Sequence, residues 1–99
     1  MHRVAWTPKS QEDLRTIRNF LRLHSPLNAP RFVRKLMAST ARLKTHPLLG
    51  DVVQEIHRAE VREVLFGNYR IIYRVGEHRV DILRVYHAAR LLDEGTIDE

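Results

Sequence analysis

The 99-residue sequence contains no cysteine, which excludes disulfides, thiolate metal sites and cysteine nucleophiles. Its four glycines are not spaced as in a phosphate-binding glycine loop. No apolar run approaches the ~20 residues of a membrane-spanning helix, and the first residues lack the apolar segment of a signal peptide. We therefore expect a cytoplasmic protein that makes no membrane contact.

Patterns for metal binding and paired-carboxylate hydrolysis are also missing. The six histidines are scattered. His57 and Glu60 stand three residues apart, but the segment between them has no helical pattern, so we expect no metal site there. The acidic residues stand singly among basic ones, unlike the carboxylate pairs of glycosidases. The sequence predicts neither a metal nor a cofactor.

Charge is abundant and uneven. There are 17 Lys and Arg against 12 Asp and Glu, and residues 14–50 contain no acid at all. The basic residues of that segment are Arg15, Arg18, Arg22, Arg31, Arg34, Lys35, Arg42 and Lys44. A positive field of this size favours an acidic partner, either a nucleic acid or an acidic protein segment. The alternative is a solvated basic surface without a partner.

The first half of the chain has helical patterns. Val4-Ala5-Trp6 predicts a short strand, and Thr7 with Pro8 predicts the capped start of a helix that reaches about Leu23. Asn28 is the predicted cap of a second helix, which should end at His46-Pro47 because a residue before proline avoids the helical region. Two helices with so short a connection form an α-hairpin.

The second half has strand patterns. Three strands are predicted at Val61–Phe66, Tyr69–Val75 and Val80–His87, joined by tight turns at Gly67-Asn68 and 76–79. The segment from Asp51 to Arg58 could be a loop or a short strand. Ala88 to Asp93 could form a helical turn before an acidic tail that starts at about residue 93.

These elements predict one α+β domain over residues 1–99, in the order β-α-α-β-β-β. The α-hairpin should pack on one face of an antiparallel sheet, which the first strand must join to bury Trp6. The residues predicted to be largely buried are Trp6, Leu14, Ile17, Leu21, Phe32, Leu36, Leu43, Val64, Ile72 and Leu83.

Basic and aromatic side chains on the predicted sheet are the candidate functional groups. Strict alternation places Arg70 and Arg74 on one face of their strand, and separates Leu83, Val85 and His87 from Ile82, Arg84 and Tyr86 on the last one. The candidates for binding a nucleic acid or another target are Arg62, Arg70, Arg74, Arg84 and Arg90. The alternative is a solvated sheet face on which Arg70 and Arg74 pair with Glu63 or Asp81.

Three segments resemble the RelE/ParE toxins of bacterial toxin–antitoxin pairs. They are Trp6-Thr7-Pro8 with Asp13-Leu14-x-x-Ile17, the run from Val61 to Val75, and the ending Val85-Tyr86-His87-Ala88-Ala89-Arg90. The resemblance extends from about residue 3 to residue 92. It implies the same β-α-α-β-β-β fold that the patterns predict.

The resemblance implies one of two activities. Members of the RelE-like branch are metal-independent nucleases that cut messenger RNA on the ribosome. In that branch His87 would be the catalytic group, and Arg70 and Arg90 would bind the phosphate. The ParE-like branch poisons DNA gyrase. Because Ala88 and Thr96 stand where the nucleases keep a tyrosine, and His87-x-x-Arg90 is common in ParE-like chains, the resemblance is closer to ParE.

The interpretation that follows is a ParE-like growth inhibitor acting on DNA gyrase. The alternatives are a ribosome-dependent mRNA endonuclease and a non-toxic, basic nucleic-acid-binding module. As a toxin the chain should bind a cognate acidic antitoxin in a hetero-oligomer. Arg15, Arg18 and Arg22, which repeat along one helix, are the predicted antitoxin-binding residues.

Overall fold

A computed structural model describes residues 1–97 and shows the predicted element order with one added short strand. The elements are β1 Arg3–Trp6, α1 Pro8–Arg22, α2 Asn28–Ser39, a 3₁₀ segment Thr40–Lys44, β2 Asp51–Val52, β3 Val61–Phe66, β4 Tyr69–Val75, β5 Arg79–His87 and α3 Glu94–Ile97. The last residues of the predicted acidic tail, Asp98 and Glu99, lie outside the described part. Within residues 1–97 no helix is both long and apolar enough to cross a membrane.

The five strands form one sheet in the order β1-β5-β4-β3-β2. Strands β3 to β5 pair antiparallel as predicted, β2 pairs antiparallel with β3, and β1 adds to the far side parallel to β5. The β3–β4 hairpin turns tightly at Gly67, whose φ of 58° suits glycine because it has no Cβ. The α+β architecture predicted from the sequence is therefore confirmed, including the first strand joining the sheet.

The start of α1 is fixed by its predicted cap. The Thr7 hydroxyl accepts a hydrogen bond from the Ser10 amide at 3.2 Å and donates to the Ile82 carbonyl at 2.8 Å. One side chain thus caps the helix and attaches it to β5, which holds the α-hairpin against one face of the sheet.

Three local predictions are wrong. The N-cap position of α2 is Leu27, not Asn28. Asn28 already lies in the first turn, and its side-chain amide donates to the Ser25 hydroxyl at 2.7 Å. The helix ends at Ser39 and continues only as a 3₁₀ segment to Lys44, so it stops short of His46-Pro47. Residues 88–93 form no helix, and the single helical turn follows at Glu94–Ile97.

Both faces of the sheet are buried. The helix-covered face packs Leu14, Ile17, Val33, Leu36, Leu43, Val64, Ile71, Tyr73, Val80, Ile82 and Val85. The second face packs Val53, Ile56, Val61, Ile72, Leu83, Tyr86, Leu92 and Ile97, and its cover is the 53–61 loop and the C-terminal segment. Of the residues predicted to be buried, Trp6, Leu21 and Phe32 are only half-buried at the margin of the first core.

Strict alternation fails along β5. Tyr73 pairs with Ile82 and Ile72 pairs with Arg84, so Leu83 is an extra residue in the strand. Such a bulge shifts the alternation by one position. Ile82 and Val85 therefore share the helix-covered core, while Leu83 and Tyr86 share the second core. The predicted grouping of Leu83 with Val85 is wrong for this reason.

Candidate functional site

The second face of the sheet is sealed at one end by a buried arginine between two carboxylates. Arg70 is only 7% exposed. Its Nε and Nη2 donate to Glu63 at 2.6 and 3.1 Å, and its Nη1 and Nη2 donate to Glu55 at 2.8 and 3.0 Å. A further bond at 2.8 Å joins Nη1 to the Arg90 carbonyl. These five bonds occupy all five N–H donors of the guanidinium.

The electrostatics of this cluster follow from the forked contacts. The hydrogen bonds from Arg70 lower the pKa of Glu55 from 4.5 to about 2, against the opposing effect of its burial. The same contacts with Glu55 and Glu63 raise the pKa of Arg70. Glu55 and Arg70 are therefore charged at neutral pH, and Glu63 adds a second carboxylate beside the one guanidinium. The cleft beside the cluster is lined by Asp51, Glu55 and Glu63 as well as Arg70, so carboxylates outnumber the guanidinium there and oppose the binding of phosphate.

A second arginine of the sheet is engaged in the same way. Arg84 forms a forked ion pair with Asp13 of α1, at 2.8 and 3.0 Å, and donates to the Thr96 carbonyl at 2.9 Å. Asp13 also accepts from the backbone amide of Val85 at 2.9 Å. Arg84 therefore joins the first helix, the last strand and the C-terminal segment.

The remaining sheet arginines differ in how free they are. Arg62 donates to the carbonyls of Ala59 and Gly50, both at 2.9 Å, which ties the 48–60 loop to β3. Arg74 makes only a long ion pair with Asp81, at 3.9 Å, and its side chain is 42% exposed. Arg90 is exposed, and its guanidinium carbon lies 4.3 Å above the Tyr86 ring. Of the five candidates for target binding, Arg74 and Arg90 are the two that remain accessible.

His87 lies at the end of β5 beside a small cleft. It is exposed, its Nδ1 accepts from the Ala89 amide at 3.2 Å, and its ring meets the Tyr69 ring edge-on at 5.9 Å between centroids. The cleft has a volume of about 220 Å³, and Thr16 and Arg90 also line it. Among the described side chains no carboxylate forms a hydrogen bond or ion pair with His87, so none orients the ring as in a catalytic acid–base pair.

A groove of about 240 Å³ runs between the two helices on the outside of the molecule. Leu14, Val33 and Met37 give it apolar walls, and Arg15 and Arg18 stand at its rim. Apolar walls with a polar, charged rim are the usual anatomy of a protein-binding surface.

Comparisons with known proteins show the family to which the chain belongs. Residues 4–92 match the family described as the ParE toxin of the type II toxin–antitoxin system parDE. The chain belongs to this family of toxins. It is similar to Toxin RelE2 of Caulobacter vibrioides, with 36% identity over 92 residues, which are 92% of this chain and 100% of that protein.

Two solved structures share the fold of the toxin. The chromosomal ParDE system of P. aeruginosa superposes with a TM-score of 0.77 and 21% identity, over 88% of this chain and 96% of that one. The RelBE2 toxin–antitoxin complex of Mycobacterium tuberculosis superposes with a TM-score of 0.64 and 24% identity, over 87% and 96%. The resemblance to RelE/ParE toxins is confirmed at the level of the family.

The toxin fold does not bring the proposed site residues into one place. Arg70 is enclosed by Glu55 and Glu63, while His87 and Arg90 lie around the cleft at the end of β5. Arg15 and Arg18 line the helix groove, and Arg22 is exposed further along α1. The roles assigned to these residues from the sequence stay predictions.

Of the three acidic partners of these arginines, one was expected from the sequence. Glu63 was an expected partner of Arg70, because the β3–β4 hairpin places it diagonally across from Arg70 on the same face. The other two had little signal in the sequence. Glu55 comes from the 53–61 loop, and Asp13 from α1, 71 residues from Arg84. Neither segment has a periodicity that would indicate where it meets the sheet. Within residues 1–97 no group of side chains has the make-up of a metal site.

Proposed function

We propose that this toxin arrests growth by binding DNA gyrase rather than by cutting RNA. The observation that carries the proposal is the enclosure of Arg70. A ribonuclease of this superfamily would need that arginine to hold the scissile phosphate, and here every donor of its guanidinium already has an acceptor. His87 has no carboxylate partner within the described residues to support acid–base catalysis. The surface that remains is suited to binding a protein target.

We infer further that an acidic, amphipathic segment of a cognate antitoxin occupies the groove between α1 and α2. Its apolar side chains would contact Leu14, Val33 and Met37, and its carboxylates would meet Arg15 and Arg18. A stable pair of this kind buries roughly 1,600 Å² or more. Rim charges mainly speed association, so the Arg15→Ala/Arg18→Ala variant should bind the antitoxin more slowly, and the deficit should shrink as salt rises.

The experiment that tests the target uses the purified toxin in two assays. In a DNA gyrase supercoiling assay we expect inhibition and an accumulation of gyrase–DNA cleavage complexes. In a reconstituted translation reaction we expect the message on the ribosome to stay intact. The His87→Ala variant should inhibit gyrase as strongly as the wild type.

The opposite pattern would contradict the proposal. Cleavage of the message that is lost in His87→Ala, with gyrase unaffected, would establish the endonuclease alternative. General acid–base catalysis is typically worth 10²–10⁴-fold, so the loss would be easy to measure. Arg79→Ala is the matched control, because it removes an exposed arginine whose ion pair with Asp81 lies away from the cleft.

A further inference from the structure

The outer flank of α2 carries positive charge that nothing in the described chain neutralises. Arg31, Lys35 and Arg42 are exposed, and none of the three forms an ion pair with a carboxylate whose side chain the structure describes. The acid-free segment 14–50 surrounds them. By contrast, five acidic residues each pair with an arginine of the sheet or its loops, namely Asp13, Glu55, Glu60, Glu63 and Asp81.

The three cations follow one another along the exposed side of α2 and its continuation. Arg31 and Lys35 are four residues apart, which places them on the side of α2 opposite the buried Val33 and Leu36. Arg42 lies in the 3₁₀ segment, where it is exposed while Thr40 and Leu43 are buried. From Arg31 to Arg42 the helix and its 3₁₀ continuation rise by about 16–18 Å. One strand of duplex DNA presents a phosphate about every 3.4 Å of axis, so this length faces about five phosphates.

The exposed side chains between Lys35 and Arg42 on this outer side are small, namely Ala38 and Ala41. The large apolar residues nearby lie elsewhere, since Met37 lines the groove between the helices and Phe32 packs against the core. The outer side therefore lacks the buried apolar anchor that a protein interface needs. The groove between the helices is the opposite case, since Leu14, Val33 and Met37 supply such anchors there. The two surfaces of the α-hairpin therefore suit different partners.

We propose that the stripe of Arg31, Lys35 and Arg42 binds the phosphate backbone of duplex DNA without reading its sequence. Arginine donates forked hydrogen bonds to phosphate oxygens, and lysine adds a point charge. The small residues let the helix approach the backbone closely. Contacts of this kind supply affinity and position, whereas sequence is read at the base edges. The proposal goes beyond the inhibition of gyrase and does not depend on it.

The test measures the salt dependence of binding. Purified toxin is titrated into a fluorescent 30-base-pair duplex of arbitrary sequence at several NaCl concentrations between 25 and 200 mM. The slope of log K against log[NaCl] falls by about 0.9 for each phosphate contact that is lost. The Arg31→Ala/Lys35→Ala/Arg42→Ala variant should therefore lose about 2.7 from the magnitude of the slope.

The matched control is Arg15→Ala/Arg18→Ala/Arg22→Ala. This variant also removes three positive charges, but from α1. Its slope of log K against log[NaCl] should stay within about 0.5 of that of the wild type. Thermal unfolding followed by circular dichroism checks that both variants are folded. Should the α2 triple variant not fold, the single Arg31→Ala, Lys35→Ala and Arg42→Ala variants should each lower the slope by about 0.9.

Three results would overturn the proposal. The wild type could fail to bind the duplex at 25 mM NaCl. The two triple variants could lose the same amount, which would mean that only net charge matters. Poly-glutamate at equal charge concentration could displace the duplex from wild type but bind the α2 triple variant weakly, which would make the stripe a site for acidic polypeptides.

Discussion

The two faces of the sheet are closed by different means. On the helix-covered face, two amphipathic helices and the 3₁₀ segment bring apolar side chains such as Leu36 and Leu43 into one core with Ile71 and Tyr73. On the second face, the cover is a loop and the C-terminal segment, and its open end is sealed by Arg70 between Glu55 and Glu63. Regular elements can bury a surface by repetition, whereas irregular segments leave backbone and side-chain polar groups that must be paired individually.

This difference has a consequence for function. The ion cluster seals the second face, and it also removes from solvent the arginine that the nuclease hypothesis requires. A charged group that appears in the sequence as a candidate for binding phosphate is thus part of the packing. The accessible charge lies mainly on the α-hairpin, where residues 14–50 contain no acid.

The largest effect should come from the helix-covered face. Leu36 is fully buried, so Leu36→Ala should lower the free energy of unfolding by about 2–5 kcal/mol through lost burial and the cavity left behind. Urea unfolding measures it. Leu65→Ala is the control, because Leu65 is 60% exposed and should cost under about 0.5 kcal/mol. A loss under about 1 kcal/mol for Leu36→Ala would show that this face is not the main core.

The next effect should come from the ion cluster of the second face. Arg70→Ala leaves two carboxylates without their partner, and each keeps only about a fifth of its side-chain exposure. Because both carboxylates retain some contact with water, we expect the free energy of unfolding to fall by about 2–4 kcal/mol. This is toward the lower end of the loss expected when a buried ion pair is broken. Equilibrium unfolding at pH 7 measures this loss.

Two comparisons sharpen that result. Arg79→Ala breaks an exposed ion pair and should cost less than about 1 kcal/mol. Arg70→Met with Glu55→Gln and Glu63→Gln should recover part of the loss, since no uncompensated charge is left. If the triple variant is no more stable than Arg70→Ala, orphaned carboxylates are not the cause.

Lowering the pH should remove the stabilisation that the ion pair of Glu55 with Arg70 gives to the second face. The pKa of Glu55 is about 2 in the folded protein against 4.5 as its ordinary value. A lowered pKa stabilises the fold above the ordinary value, and this contribution is lost as the pH falls from about 4.5 to about 2. Because Glu55 keeps some contact with water, this contribution is at most about 3 kcal/mol. Urea unfolding at pH 7, 4.5 and 2.5 should show wild type converging on Glu55→Gln.

A matched control is available for the acid titration. Glu77→Gln changes a carboxylate whose side chain is 90% exposed. Because this side chain is solvated and packs against nothing buried, Glu77→Gln should change the free energy of unfolding by under about 0.5 kcal/mol at each of the three pH values. Parallel behaviour of Glu55→Gln and Glu77→Gln would contradict a special role for Glu55.

The smallest effect should come from the junction of the two faces. Thr7 caps α1 and donates to the carbonyl of Ile82, directly before the bulge in β5. Thr7→Ala should cost about 1 kcal/mol through loss of the cap. Thr7→Ser keeps the hydroxyl and should cost less. Faster hydrogen exchange at the Ser10 amide in Thr7→Ala would locate the effect at the cap.

Most of the fold was predictable because its signals are local. The helices follow from apolar spacing and from Thr7-Pro8, and the β3–β4 hairpin from Gly67-Asn68 between β-branched segments. The bulge at Leu83 was not predictable, since no glycine or proline marks it. The C-terminal end of α2 was missed because the chain changes to a 3₁₀ segment, in which Leu43 is buried, before it reaches the proline.

The candidate site was less predictable than the fold. The pairing of Arg70 with Glu63 could be anticipated from strand register. The contribution of Glu55 could not, because loop 53–61 reaches the sheet through contacts that no sequence period describes. The same is true of Asp13, whose partner Arg84 lies at the other end of the chain.

By itself the sequence determined the element order, the acid-free basic segment and the membership of a toxin family, because each depends on residues close together or on their composition. Tertiary structure alone decided which arginines are accessible. Arg70 and Arg84 lie within reach of Glu55 and Asp13 only after folding, whereas Arg31, Lys35 and Arg42 find no carboxylate near α2 in the described residues. Whether an arginine binds a partner or supports the fold depends on its distance to the nearest acid, and that distance is set by the packing of segments far apart in the chain.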